Sequence, residues 1–134
     1  MHKTKIVTSF LENSEEILLL KRSQKVKSMK NLWAGISGII EVEEIPIKRA
    51  QIEIYEEVGI RESDIKLIRE GGMILIESPQ YDNHQWEVYP FLFSCDKIEV
   101  KLNWENSDSR WIDRSKLSNF ETVPSLDKVL ARLF

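Results

Sequence analysis

The feature that most limits how this chain can fold is a change of hydrophobic period at Pro46. Before it, "KIVTSFL" (Lys5 to Leu11) and "EILLLKR" (Glu16 to Arg22) are short β-rich runs separated by the polar turn "ENSE", which predicts a hairpin. From Pro46 the run "PIKRAQIEIYEEV" leads to Gly59, with proline at a first turn and glycine just past an end, so one helix is expected there. At about 100° per residue, Ile47, Ala50, Ile54 and Val58 share one core-facing stripe. Strand-like runs then return in "GGMILIES" (Gly71 to Ser78) and "WEVYPFLFSC" (Trp86 to Cys95), joined by the loop "PQYDNHQ". "IEVKLN" and "RWID" read as two more strands, ahead of a short helix at Ser115 to Asn119 and a terminal helix from near Pro124. Strands on both sides of a central helix predict an α/β fold, with helices on both faces of a mixed sheet.

A second side of the same helix gathers Arg49, Glu53, Glu56 and Glu57, because residues three and four apart are neighbours on a helix. Like charges at that spacing repel by a few tenths of a kcal/mol per pair, so something must offset them. One reading is a solvated acidic face partly neutralised by Arg49. The other is a seat for hard divalent cations, which prefer carboxylate oxygens and, in the case of magnesium, bridge a protein to a substrate phosphate. Spacing and charge leave both open.

The rest of the chain sets bounds. No repeat or Gly/Ser linker divides it, so residues 1–134 read as a single domain, long enough to bury roughly two thirds of the surface its unfolded chain exposes. The single cysteine, Cys95, sits in the apolar run "YPFLFSCD" and reads as a core thiol. With no long apolar run and no signal-like N-terminus, a cytoplasmic protein without a membrane partner is expected. The net charge is −3, and the basic run Lys21 to Lys30 is too short and too poor in aromatics to predict nucleic-acid binding. It reads as a solvated loop or as an anion-steering loop beside a site.

The spacing of Gly38, Glu44, Glu53, Ile54, Glu56, Glu57, Gly59 and Ile60 resembles the signature box of the Nudix hydrolases: glycine, five residues, glutamate, seven residues, arginine-glutamate, aliphatic, any, two glutamates, any, glycine, aliphatic. The resemblance implies the Nudix fold, an α/β/α sandwich with a central mixed β-sheet. It also implies a pyrophosphohydrolase that uses Mg2+, or Mn2+ in its place, on a nucleotide-derived small molecule, and it makes a homodimer an expectation. Carried onto this sequence, Glu53 and Glu57 are mainly metal ligands, Glu56 a ligand or the base, Glu44 a supporting carboxylate, and Gly38 brings a backbone carbonyl to the metal. Glu105 is the candidate for a further ligand from a later loop, with Glu99 and Asp108 behind it. His84 is a weaker candidate for a base or substrate contact. Among the aromatics that could stack on a base, Tyr81, Trp86, Tyr89 and Trp33, the better candidates are Trp33 and Trp86.

The resemblance fails at one position, where Ile52 stands in place of the arginine that orients a catalytic glutamate. Arg49 lies on the same helical face and is expected to take over that role. Should it not, the alternative is a nucleotide-binding module of the same fold with little turnover.

Overall fold

The computed structural model describes residues 2–77 and 84–134. Eight strands form one sheet: β1 (His2–Asn13), β2 (Glu16–Arg22), β3 (Trp33–Ala34), β4 (Ile36–Ile39), β5 (Ile65–Glu70), β6 (Ile74–Glu77), β7 (His84–Cys95) and β8 (Asn106–Asp113). Two α-helices accompany it, α1 (Pro46–Val58) and α2 (Leu126–Ala131). The main path runs β3-β2-β1-β7-β5, with β4 beside β1, β6 beside β7 and β8 beside β2. β1 and β7 are parallel, from His2 opposite His84 to Glu12 opposite Ser94, and their neighbours are antiparallel, so the sheet is mixed. The predicted hairpin forms, but β1 pairs with β2 only next to the turn. Further along, β4 takes the place beside β1, with Ile6 opposite Ile39 and Val7 opposite Gly38. That divergence sets Gly38 next to α1.

Alternation along the strands sends side chains to two faces. Val7, Leu11, Leu18, Leu20, Phe91, Phe93 and Cys95 pack with Ala50, Ile54 and Val58 of α1. Phe10, Ile17, Leu19, Val88 and Leu92 pack with Leu126, Val129 and Leu130 of α2. This is the α/β/α sandwich, and fully burying Ile54 or Leu92 contributes roughly 1.5–3 kcal/mol each. Pro46 begins α1, and Gly59 ends it with φ of 73°, its N–H donating to the Tyr55 carbonyl at 3.0 Å. The predicted stripe of α1 is the buried one.

The structure departs from the sequence reading in three places. "IEVKLN" is not a strand: Lys101 N donates to the Val58 carbonyl, the Trp111 indole donates to the Ile98 carbonyl, and Val100 and Leu102 pack against the α1-side core without a ladder partner. β5 was not anticipated, because nearly all of its side chains are exposed and give no burial pattern. The helix after β8 is a 3-10 helix, Arg114–Asn119, whose first turn is capped by Asp113 accepting from Ser115 N at 2.9 Å. Tyr81 and most of the loop "PQYDNHQ" lie outside the described residues. Among those described, no helix is long and apolar enough to cross a membrane.

Candidate functional site

The acidic side of α1 is not a solvated face. Glu53 and Glu57 are only 8% and 4% exposed, whereas Glu56, at the outer edge of that side, opens to solvent. Burial pushes the Glu53 and Glu57 carboxyls above their usual range, Glu57 strongly so, with the nearby charge of Glu105 adding to its shift. Asn106, at the start of β8, opposes this by donating its Nδ2 to Glu57 Oε1 at 3.1 Å. The other oxygen, Glu57 Oε2, is buried and finds no donor. A buried acceptor without a partner costs about 1–3 kcal/mol or more, so this atom marks a place built for a proton or a cation.

Arg49 organises the opposite edge. Its Nη1 donates to Glu53 Oε2 at 3.0 Å, while Nε and Nη2 form a two-pronged pair with Glu44 at 2.9 and 2.7 Å. Glu44 also accepts the N–H of Glu41 at 2.6 Å, and Arg49 followed by that N–H holds its carboxyl below the usual range. Ile52 is 40% exposed and makes none of these contacts. The guanidinium that reaches Glu53 therefore comes from one helical turn earlier. Gly38 lies against the same carboxylate: a Cβ there would fall 2.2 Å from Glu53 Cδ, so only glycine leaves room for Glu53 where Arg49 holds it.

These groups border a cleft of about 540 Å3, lined on this side by Gly38, Glu41, Arg49, Glu53, Glu56 and Glu105. Trp86 lines it too, from β7. Trp33 does not: it is 8% exposed and packs edge-on to Phe120, with ring centroids 5.3 Å apart, in the α2-side core. This corrects the expectation that Trp33 contacts substrate. Tyr89 packs against the α1-side core, His84 shares a 2.8 Å hydrogen bond with Thr4, and Glu99 and Asp108 are exposed and do not border the cleft. Arg22, Ser28 and Met29 of the basic run Lys21 to Lys30 line the cleft, beside the site as one of its two readings had it, whereas Asn106 and the cleft-lining Trp104 were not foreseen. Trp104 carried a signal that went unread, an aromatic among the polar neighbours Asn103 and Glu105; Asn106 carried none.

A model of the NUDIX domain family matches residues 2–133. The chain belongs to the Nudix family. It is thus a hydrolase of the class that acts on phosphoric anhydrides, a family that generally uses divalent cations. An RNA pyrophosphohydrolase of Bartonella bacilliformis is 29% identical over 122 residues, covering 81% of this chain and 69% of that protein. In structure the chain is similar to a MutT protein from Methanosarcina mazei (TM-score 0.76, 22% identity, 98% and 93% of the two chains covered). It is also similar to an Ap4A hydrolase of C. elegans (TM-score 0.73, 15% identity, 98% and 94% covered). Both likenesses bear on the fold.

Whether this Nudix site suits a divalent cation is a matter of donors. Among the described residues no three acidic, histidine or cysteine side chains already stand in ligand geometry, and Glu53 Oε2 is engaged by Arg49. The donor chemistry nonetheless fits. Hard carboxylate oxygens crowd one corner, the orphaned Glu57 Oε2 is among them, and Glu56 and Glu105 face the same cleft.

Proposed function

We propose that this protein hydrolyses a diphosphate linkage in a nucleoside triphosphate or another nucleoside diphosphate derivative, with Mg2+ as the cation and Mn2+ as its substitute. The observation that carries this reading is the pair of buried glutamates, Glu53 on the cleft wall and oriented by Arg49, and Glu57 beside it with an unpaired buried oxygen. Glu53 and Glu57, joined by Glu56, Glu105 and the carbonyl of Gly38, are the groups that would hold the cation. A divalent cation there supplies charge neutralisation of the phosphate oxygens and Lewis acidity.

The chain's own residues then have separable tasks. Arg49 opposes the burial that raises the Glu53 carboxyl and holds that carboxyl in place, the task the box ordinarily gives to the arginine that Ile52 replaces. Asn106 fixes Glu57 through Oε1 and leaves Oε2 without a donor. Glu56, the exposed carboxylate on the cleft wall, accepts the proton of the attacking water. The new P–O bond forms from that water and the bridging P–O bond breaks, leaving two phosphorylated products. A cytoplasmic location and a homodimer belong to the same proposal and rest on sequence and resemblance alone.

The test is product analysis by chromatography after incubating the protein with nucleoside triphosphates, dinucleoside polyphosphates, nucleotide sugars and a 5′-triphosphorylated oligoribonucleotide, with and without Mg2+. The oligoribonucleotide is included because of the relative named for RNA. Metal-dependent release of a nucleoside monophosphate, or of a 5′-monophosphorylated end, is expected. A folded sample that releases no product from any of them overturns the reading.

A further inference from the structure

Two indoles on the cleft, Trp86 and Trp104, have no part in the chemistry above, and Trp104 is the exposed one. Trp104 borders the cleft next to Glu105 and is 60% exposed, an unusual state for an indole, which is among the most highly buried side chains on average. The backbone under it is fixed. Its carbonyl accepts from Ser23 Oγ at 2.7 Å, and Ser23 N donates to the Glu105 carbonyl at 2.8 Å. Glu105 N donates to Asn103 Oδ1 at 3.1 Å, and two residues beyond Trp104 the Asn106 amide is bonded to Glu57. Those bonds set where the Trp104 backbone stands relative to the carboxylates, and the exposed ring turns about χ1 and χ2 from that fixed point. Its sequence neighbours, Asn103 and Glu105, are polar, so the ring stands alone in its own segment rather than in an apolar run.

We propose that Trp104 is the platform on which the nucleobase of the substrate stacks, with purines held better than pyrimidines because stacking grows with ring area. The proposal rests on the nucleotide-hydrolase reading for the identity of the ligand. It assigns the base end of the substrate to the rim formed by Trp104, with the phosphate chain leading toward Glu56 and Glu105. Every base has a π-face, and removing an aromatic platform weakens binding by about 1–3 kcal/mol per base, roughly 5- to 150-fold. A flat indole therefore selects for a nucleobase without reading its hydrogen-bonding edge.

The test needs no turnover. AMP, GMP, CMP, UMP and ribose 5-phosphate are titrated calorimetrically into the wild-type protein, Trp104→Ala and Trp104→Phe, with thermal midpoints recorded for all three. The expected result is that wild type binds AMP and GMP more tightly than CMP and UMP, and all four more tightly than ribose 5-phosphate. Trp104→Ala then weakens AMP and GMP about tenfold or more, leaves ribose 5-phosphate unchanged and keeps its thermal midpoint, while Trp104→Phe restores most of the affinity. Equal AMP affinity in wild type and Trp104→Ala overturns the platform, as does a wild type that binds ribose 5-phosphate as well as AMP or binds no nucleotide at all. Nucleotide binding that depends on Trp104, in a protein that hydrolyses nothing, would uphold the platform and remove the hydrolase reading alone.

Discussion

Helix α2 borders two concavities, and the larger carries less chemistry. The larger, about 1080 Å3, lies among the β1–β2 turn, the 3-10 helix and α2, and its acids include Glu12, Glu15, Asp113 and Asp127. Those side chains are exposed or half-buried, Asp113 is satisfied by capping the 3-10 helix, and Arg114 stacks over Phe134 at 4.0 Å. The smaller, about 540 Å3, is lined by Glu53, whose buried carboxyl sits beside that of Glu57; the two charges oppose each other and one Glu57 oxygen is left unpaired. Size does not separate a binding cleft from a surface groove here. Unrelieved polarity does, since folding tolerates a buried, unpaired carboxylate oxygen only at a cost that a bound ligand can offset.

The sharpest way to break this contrast is to relieve the polarity. Glu57→Gln keeps an oxygen for Asn106 and adds an amide donor toward Glu53. Turnover should fall by about 100-fold or more, as when a preorganised charge is lost from a transition state, while the thermal midpoint of the metal-free protein rises. Steady-state kinetics and calorimetry check the two halves; lost activity with a lower midpoint would mean that Glu57 is a structural acid. Arg49→Ala comes next. It removes the group that holds both Glu44 and Glu53, and turnover should drop about tenfold or more, as for other residues that orient a ligand. Unchanged turnover would show that nothing needs to replace the arginine absent at Ile52.

A third prediction concerns pH. The carboxyls of Glu53 and Glu57 are raised in the folded state by burial, so the native chain holds protons that the unfolded chain has released. Their contribution to metal-free stability should therefore be fully present below the ordinary carboxylate pKa of about 4.3 and be lost as pH rises through the raised values, with Glu44 contributing in the opposite sense. Urea titrations across that range should show the fall in wild type and a weaker one in Glu57→Gln. The smallest effects belong to the larger groove. Asp127→Asn should leave turnover within about twofold, and Arg114→Ala should cost about 0.5–1 kcal/mol of stability through the lost Phe134 contact and little activity. A large kinetic loss in either variant would move the site.

Much of this arrangement was legible in the sequence, and the exceptions share a cause. α1 could be read from Pro46, Gly59 and its apolar stripe because local rules fix all three. The two-sided core followed from strand-like runs on both sides of one helix with another helix at the end, and the continuous apolar runs in "EILLLKR" and "PFLFSC" feed both faces. The Arg49 bridge to Glu53 was expected from four-residue spacing, and it forms at 3.0 Å. What stayed hidden depended on partners distant in sequence. The β1–β7 pairing, the placement of Asn106 against Glu57, and the burial of Trp33 under Phe120 all join segments that no local pattern connects. "IEVKLN" misled because one-sided burial against the end of α1 copies the alternation of a strand, and β5 was missed because an exposed strand has no alternation to show.

The most direct measurement is calorimetric titration of Mg2+ and Mn2+ into wild type and Glu57→Gln at several pH values upward from the ordinary carboxylate pKa of about 4.3, each in two buffers of different ionisation enthalpy. If the buried carboxyls are the cation's seat, wild type binds the cation and releases protons as it does so, because carboxylates held partly protonated must ionise to become ligands. Glu57→Gln then loses most of the binding and most of the proton release. Binding of equal strength in both proteins, or none in either, would contradict the account.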